Sequence, residues 1–129
     1  LQDGAVVDFV NVWADPGAML PTYGIVGEMG FGGGMSSIPS REELIGNLRS
    51  QLHQFVEKEA QGIKTAESLC EEMSVGRAVV AHAKKSEADL IVIGALGGTN
   101  LRYLFLGSTA ERVLTHLPCS VLVVKPKDA

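Results

Sequence analysis

Between Ala88 and Val124 the chain reads ADLIVIGALGGTNLRYLFLGSTAERVLTHLPCSVLVV, in which two residues separate Gly94 from Gly97 and nine separate Gly97 from the pair Gly107-Ser108. Glycines at such positions let main-chain N–H groups approach an anion with no Cβ in the way, and they reach positive φ without strain. A helix that starts at or just after Ser108 adds unpaired N–H groups at its positive end. The chemistry this spacing supports is the cradling of a nucleotide's phosphates. One helix N-terminus contributes only about 0.3–1 kcal/mol per charge at an exposed site, so several N–H donors must act together with hydroxyls to hold a polyphosphate. Ser108, Thr109 and Thr99 could supply the hydroxyls. Ser108-Thr-Ala-Glu111 also has the form of a capping box, in which the serine simply starts a helix; the two roles are compatible.

The elements around these residues are legible in the apolar pattern. Leu90 to Ile93 is a short β-branched run that ends at Gly94, as expected of a strand buried on both faces of a parallel sheet, and ligands of such sheets collect at that end. Ala5 to Trp13 reads as a strand stopped by the turn residues Asp15-Pro16-Gly17. A helix is expected from Arg41 to Ala60, opened by Ser40 and Glu43, striped by Leu44, Ile45, Leu48, Leu52, Phe55 and Val56, and closed near Gly62. Ile63 to Cys70 forms a second strand and Val75 to Ser86 a second helix. The last helix runs from near Ser108 to Leu117, stopped by Pro118, and the last strand from Ser120 to Lys125. This alternation of strand and helix points to an α/β fold, a doubly wound open parallel sheet flanked by helices with right-handed crossovers.

The spacing Gly94, Gly97, Gly107-Ser108 resembles the motif of the nucleotide-binding subgroup of the universal stress protein family, Gly-x2-Gly-x9-Gly-[Ser/Thr], at every fixed position. The flanking ADLIVIG and GSTAERVLTHLPCSVLVVKP read like the family's C-terminal half, with the resemblance tight from Ile63 to Pro126 and looser from Ala5 to Gly62. The resemblance implies a Rossmann-like domain that binds ATP or another adenine nucleotide, with or without Mg²⁺, and a homodimer formed through the C-terminal strand SVLVVK. An apolar edge strand is physically suited to such pairing. Onto this chain the family pattern carries Gly94, Gly97, Gly107, Ser108 and Thr109 for the phosphates, and Val12 and Ile93 as apolar walls for the base. Val12 and Ile93 also have a plain reading as core residues.

Two departures qualify the resemblance, and one long connection takes no role from it. The family sheet has five strands in the order 3-2-1-4-5, and its first strand and helix have no counterpart here. Without them, strands at Ala5 and Leu90 would leave main-chain groups unpaired in a core, at about 1–3 kcal/mol each. We therefore expect the natural protein to include residues upstream of Leu1, and an additional strand between those two. The cradle has Ala95, Leu96 and Gly98 where similar proteins often place Arg, His or Ser, leaving Arg102 as the nearest basic residue and implying weaker affinity for a polyphosphate. Finally, residues 14–39 hold seven glycines and the apolar residues Met19, Tyr23, Met29, Phe31 and Met35. A connection this long is expected to be a lid, a partner surface or disordered; its Gly30-Phe-Gly-Gly-Gly34 run lacks the strand before it and the Lys-Ser/Thr end of a Walker loop.

Composition bounds the remainder. A chain of 129 residues is expected to form one domain over 1–129. With 46% hydrophobic and 20% charged residues and no apolar run near the roughly 18 needed to cross a bilayer, a soluble cytoplasmic protein without a membrane partner is expected. A formal charge of −4 argues against a broad nucleic-acid surface. Cys70 and Cys119 read as buried reduced thiols, and His53, His82 and His116 as surface or helix-end residues with no triad or metal spacing. Phosphoryl transfer needs a positioned base and a carboxylate for Mg²⁺, and the only carboxylate in the cradle, Glu111, is assigned to the helix cap; an efficient enzyme is not expected. The competing reading is the same fold without useful nucleotide affinity, serving as an interaction or dimerisation module.

Overall fold

A computed structural model describes residues 4–15, 39–95 and 106–125. In chain order the elements are β1 (Val7–Trp13), α1 (Arg41–Glu59), β2 (Thr65–Glu71), α2 (Val75–Lys85), β3 (Leu90–Gly94), α3 (Ser108–Thr115) and β4 (Ser120–Val124). This is an α/β arrangement with parallel strand pairs. The chain divides into two compact units, Leu1–Glu71 and Glu72–Ala129.

In the first unit β1 pairs parallel with β2, from Val7 opposite Thr65 to Trp13 opposite Glu71. The strand begins at Val7, two residues later than expected, because Gly4 at φ 88° turns the chain and the pairing opens with the Val7 N–H donated to the Lys64 carbonyl at 3.0 Å. Helix α1 starts as the sequence requires: Ser40 Oγ accepts the Glu43 N–H at 3.2 Å. It ends at Glu59, with Ala60 as its cap, and Gly62 at φ 78° provides the left-handed turn that side chains resist. Trp13, Val56 and Ala60 are buried, and Phe9 of β1 meets Phe55 of α1 edge-on with ring centroids 6.2 Å apart. Phe55, expected in the apolar stripe, keeps half of its surface in solvent despite that contact.

In the second unit β3 pairs parallel with β4, Leu90 opposite Ser120 and Gly94 opposite Val124. Val80, Ala83, Ile91 and Val113 form its core, with Val79, Ala88, Ile93, Cys119 and Val121 packed against them. Val113 is fully buried. Gly76 is buried between α2 and α3, and a Cβ there would lie 2.9 Å from Arg112 Cβ, so only glycine lets the helices approach this closely. Ser74 caps α2 by accepting the Arg77 N–H at 3.3 Å. Helix α3 stops at Thr115, two residues before Leu117, because the residue preceding Pro118 is driven out of the helical region. The other side of this sheet exposes Leu90, Val92, Leu122 and Val124, each between 48% and 61% accessible.

In the order expected from the sequence, β1 neighbours β2 and β3 neighbours β4, and both pairings are present. Among the described residues no other strand pairs with either sheet.

Candidate functional site

The motif occupies the carboxyl end of β3 and the start of α3. Ile93 packs against the core of the second unit, and Gly94 ends the strand opposite Val124. The ladder runs one residue further, with the Ala95 N–H donated to the Val124 carbonyl at 2.9 Å. The Ala95 carbonyl then accepts the Gly107 N–H at 2.7 Å, and the Gly107 carbonyl accepts the Glu111 N–H at 2.9 Å as the first bond of α3. Three successive main-chain bonds therefore tie the end of β4, the end of β3 and the mouth of α3 into one frame. Gly97, Thr99 and Arg102 fall outside the described residues, as does nearly all of the glycine-rich connection.

This frame corrects two expectations. The N-cap of α3 is Gly107, at φ −59° and ψ 156°, and no side chain bonds the helix start. Ser108 is the first helical residue, from which its hydroxyl no longer reaches the amides that a capping serine serves. The capping box is thus not formed, and among the described residues neither Ser108 Oγ nor the Glu111 carboxylate has a hydrogen-bond partner. Glu111 stands exposed in the first turn, a negative charge beside the anion-seeking end of the helix. The role of Gly107 also differs from the one anticipated. Its φ is open to any residue and its N–H is already bonded, so what glycine contributes there is the absence of a side chain.

The main-chain donors ahead of the first helical bond are the N–H groups of Ser108, Thr109 and Ala110. Ser108 is exposed and Thr109 half-buried, so two amides and two hydroxyls are accessible at the helix mouth. This set, two N–H groups and two hydroxyls, fits an anion. No group of three or more His, Cys, Asp or Glu able to hold a metal occurs among the described residues, so a Mg²⁺ ion here would be held chiefly by phosphate and water oxygens.

Val12 lies in the other unit, next to last in β1 opposite Cys70, and is half-buried. Beside it is a group the sequence does not announce. Arg41 Nη1 donates to Asp15 at 2.8 Å and to Glu71 at 3.0 Å, while Nη2 donates to the second oxygen of Glu71. The guanidinium carbon lies 5.3 Å from the centroid of the Trp13 ring. These bonds, and the charges behind them, push the Glu71 carboxyl below its ordinary value and hold Arg41 further above its own. Asp15 and Arg41 are 26 residues apart, so no local spacing could have found the pair.

The sequence model of the universal stress protein family matches residues 1–125. The chain belongs to the universal stress protein family. Among curated relatives it is 53% identical over 47 residues to universal stress protein MJ0531 of Methanocaldococcus jannaschii, covering 36% of this chain and 28% of that protein. It is 46% identical over 46 residues to universal stress protein E of Salmonella typhi, covering 36% of this chain and 15% of that one. The chain thus aligns with less than a third of the length of either relative. Its fold matches the structure of hypothetical protein MJ0577, the subject of a structure-based assignment of biochemical function, with a TM-score of 0.64 at 21% identity over 96% of this chain and 78% of that one. It also matches the universal stress protein UspA of Lactobacillus plantarum, with a TM-score of 0.51 at 25% identity over 93% and 77% of the two chains.

Both cysteines are half-buried rather than buried, Cys70 in β2 and Cys119 just before β4. His82 lies in the last turn of α2 and His116 caps α3, as helix-end residues, whereas His53 sits within α1. No helix among the described residues is long and apolar enough to cross a membrane.

Proposed function

We propose that this chain is a universal stress domain that binds ATP or another adenine nucleotide, with the phosphates held at Gly94, Gly97, Gly107, Ser108 and Thr109. The observation that carries the reading is the frame joining Ala95, Gly107 and Glu111, because it puts the Ser108 and Thr109 amides ahead of the first helical bond at a helix mouth with no side-chain cap. Val12 and Ile93 are the residues the family pattern assigns to the base. The exposed Glu111 and the lack of basic residues at the described helix mouth favour a weakly charged nucleotide such as AMP over ATP without Mg²⁺. The protein would act in the stress response as a cytoplasmic homodimer through β4, whose occupancy by nucleotide alters its conformation or assembly. With the donors suited to binding and no base positioned among them, it would turn over nucleotide slowly or not at all.

Equilibrium titration of the purified protein with AMP, ADP and ATP, with and without Mg²⁺, tests this reading. Gly97→Val is expected to abolish binding while leaving the circular dichroism spectrum unchanged, since its side chain would occupy phosphate space. Affinity unchanged by that substitution would count against the site. A second reading, an interaction module that keeps the fold without useful nucleotide affinity, draws support from the open apolar face of Leu90, Val92, Leu122 and Val124. Affinities weaker than millimolar for all three nucleotides would favour it.

A further inference from the structure

Helix α1 reaches β2 through one titratable side chain in its middle. His53 Nδ1 lies 2.9 Å from Glu67 Oε2 on β2, and Nε2 lies 3.3 Å from Glu57 Oε1 one turn further along α1. Carboxylates accept and do not donate, so each ring nitrogen needs its own proton to bond its partner, and only the imidazolium carries two. A neutral ring keeps one of the two bonds. The other strand touching α1 brings no charge to the ring. The residue of β1 opposite Glu67 is Phe9, engaged with Phe55, while Asp8 receives the Ser68 hydroxyl at 2.9 Å. On α1 itself, Arg49 stands four residues before His53, and Ser50 accepts from Gln54. Beside the ring a shallow surface cavity of about 280 Å³, lined among others by Val56, Ala60 and Thr65, marks where the last turns of α1 part from the start of β2.

We propose that His53 is a proton-operated clasp that fastens the later turns of α1 to β2 when its ring carries two protons and slackens when it loses one. The Arg41 ion pairs, whose members keep their charges through neutrality, hold the first residue of α1 at the opposite end of the same strands. A rise in pH therefore loosens one end of the helix and not the other. The hydrogen bond to Glu67, then the charges of Glu67 and Glu57, hold the imidazole above its ordinary 6.5, against the smaller effect of desolvation. The ring's charge, and with it the second of the two bonds, is fully present below pH 6.5 and is lost as the pH rises through the elevated value.

The test is a titration of the histidine ring nitrogens by NMR in the full chain, with His82 and His116 as internal references, combined with amide hydrogen exchange. The midpoint of His53 is expected above 6.5. Glu67→Gln should lower it the most and Glu57→Gln less. Amides of residues 54–60, corrected for intrinsic exchange, should lose protection as the pH crosses that midpoint, and in His53→Gln this pH dependence should vanish. A midpoint at or below 6.5, a midpoint unmoved by Glu67→Gln, or the same pH-dependent loss of protection in His53→Gln would overturn the clasp.

Discussion

The two units hold their elements together by different means. In the first, ion pairs link the elements: Arg41 with Asp15 and Glu71, and His53 with Glu57 and Glu67, with Lys58 beside Glu59. Among its described residues the buried core is Trp13, Val56 and Ala60. The second unit buries more apolar side chains, Ala78, Val80, Ala83, Ile91, Ala110 and Val113 among its described residues. Exposed ion pairs are weak, screened by salt and dependent on protonation, whereas apolar burial does not titrate and is not screened, though strongly excluded salts strengthen it. The difference teaches where sensitivity to solution conditions resides. The unit that carries Val12 responds to pH and salt, and the unit that carries the glycine motif responds to packing.

Substitutions in each unit can break or sharpen this contrast. The largest effect is expected for Val113→Ala, which truncates a fully buried side chain of the second core and should cost about 2–3 kcal/mol in denaturant unfolding, with little dependence on pH or on sodium chloride. A loss that varied with salt would contradict the contrast. A smaller effect of opposite sign is expected at Glu87. Helix α2 ends with the Glu87 N–H on the Lys84 carbonyl at 3.3 Å and the Ala88 N–H on the Ala83 carbonyl at 3.0 Å, which places Glu87 at φ 54°, a conformation suited to glycine. The chain uses glycine for the corresponding turn after α1, at Gly62. Glu87→Gly should therefore stabilise the second unit by about 0.5–1 kcal/mol, read as a higher unfolding midpoint; a lower midpoint would show that the glutamate side chain matters more than its backbone strain.

The smallest effect is expected for Arg41→Gln, and it should appear only as a change in pH dependence. The pairing depresses the folded carboxyl of Glu71 below 4.5, so its stabilising contribution is present above pH 4.5 and is lost as the pH falls through the depressed value. The variant should lose less stability than the parent across that acid range, and should differ least from it in high salt. Identical acid limbs in unfolding curves of the two proteins would place the stability of the first unit elsewhere.

The sequence alone determined what local interactions decide. Strand and helix identities followed from runs such as Leu90–Ile93 and from the stripe of α1, the cap at Ser40 from its hydroxyl three residues before Glu43, and the glycine motif from its spacing. Each depends on residues within a few positions of one another, where periodicity and propensity are legible. The tertiary structure decided the remainder. It made Gly107 rather than Ser108 the cap of α3, because a bond to Ala95, twelve residues back, sets the entry of the chain into the helix. It gathered Arg41, Asp15 and Glu71, and set His53 between Glu57 and Glu67, through pairings that bring together residues separated by as many as 30 positions. Such contacts are chosen by the folded backbone, and short-range pattern does not encode them.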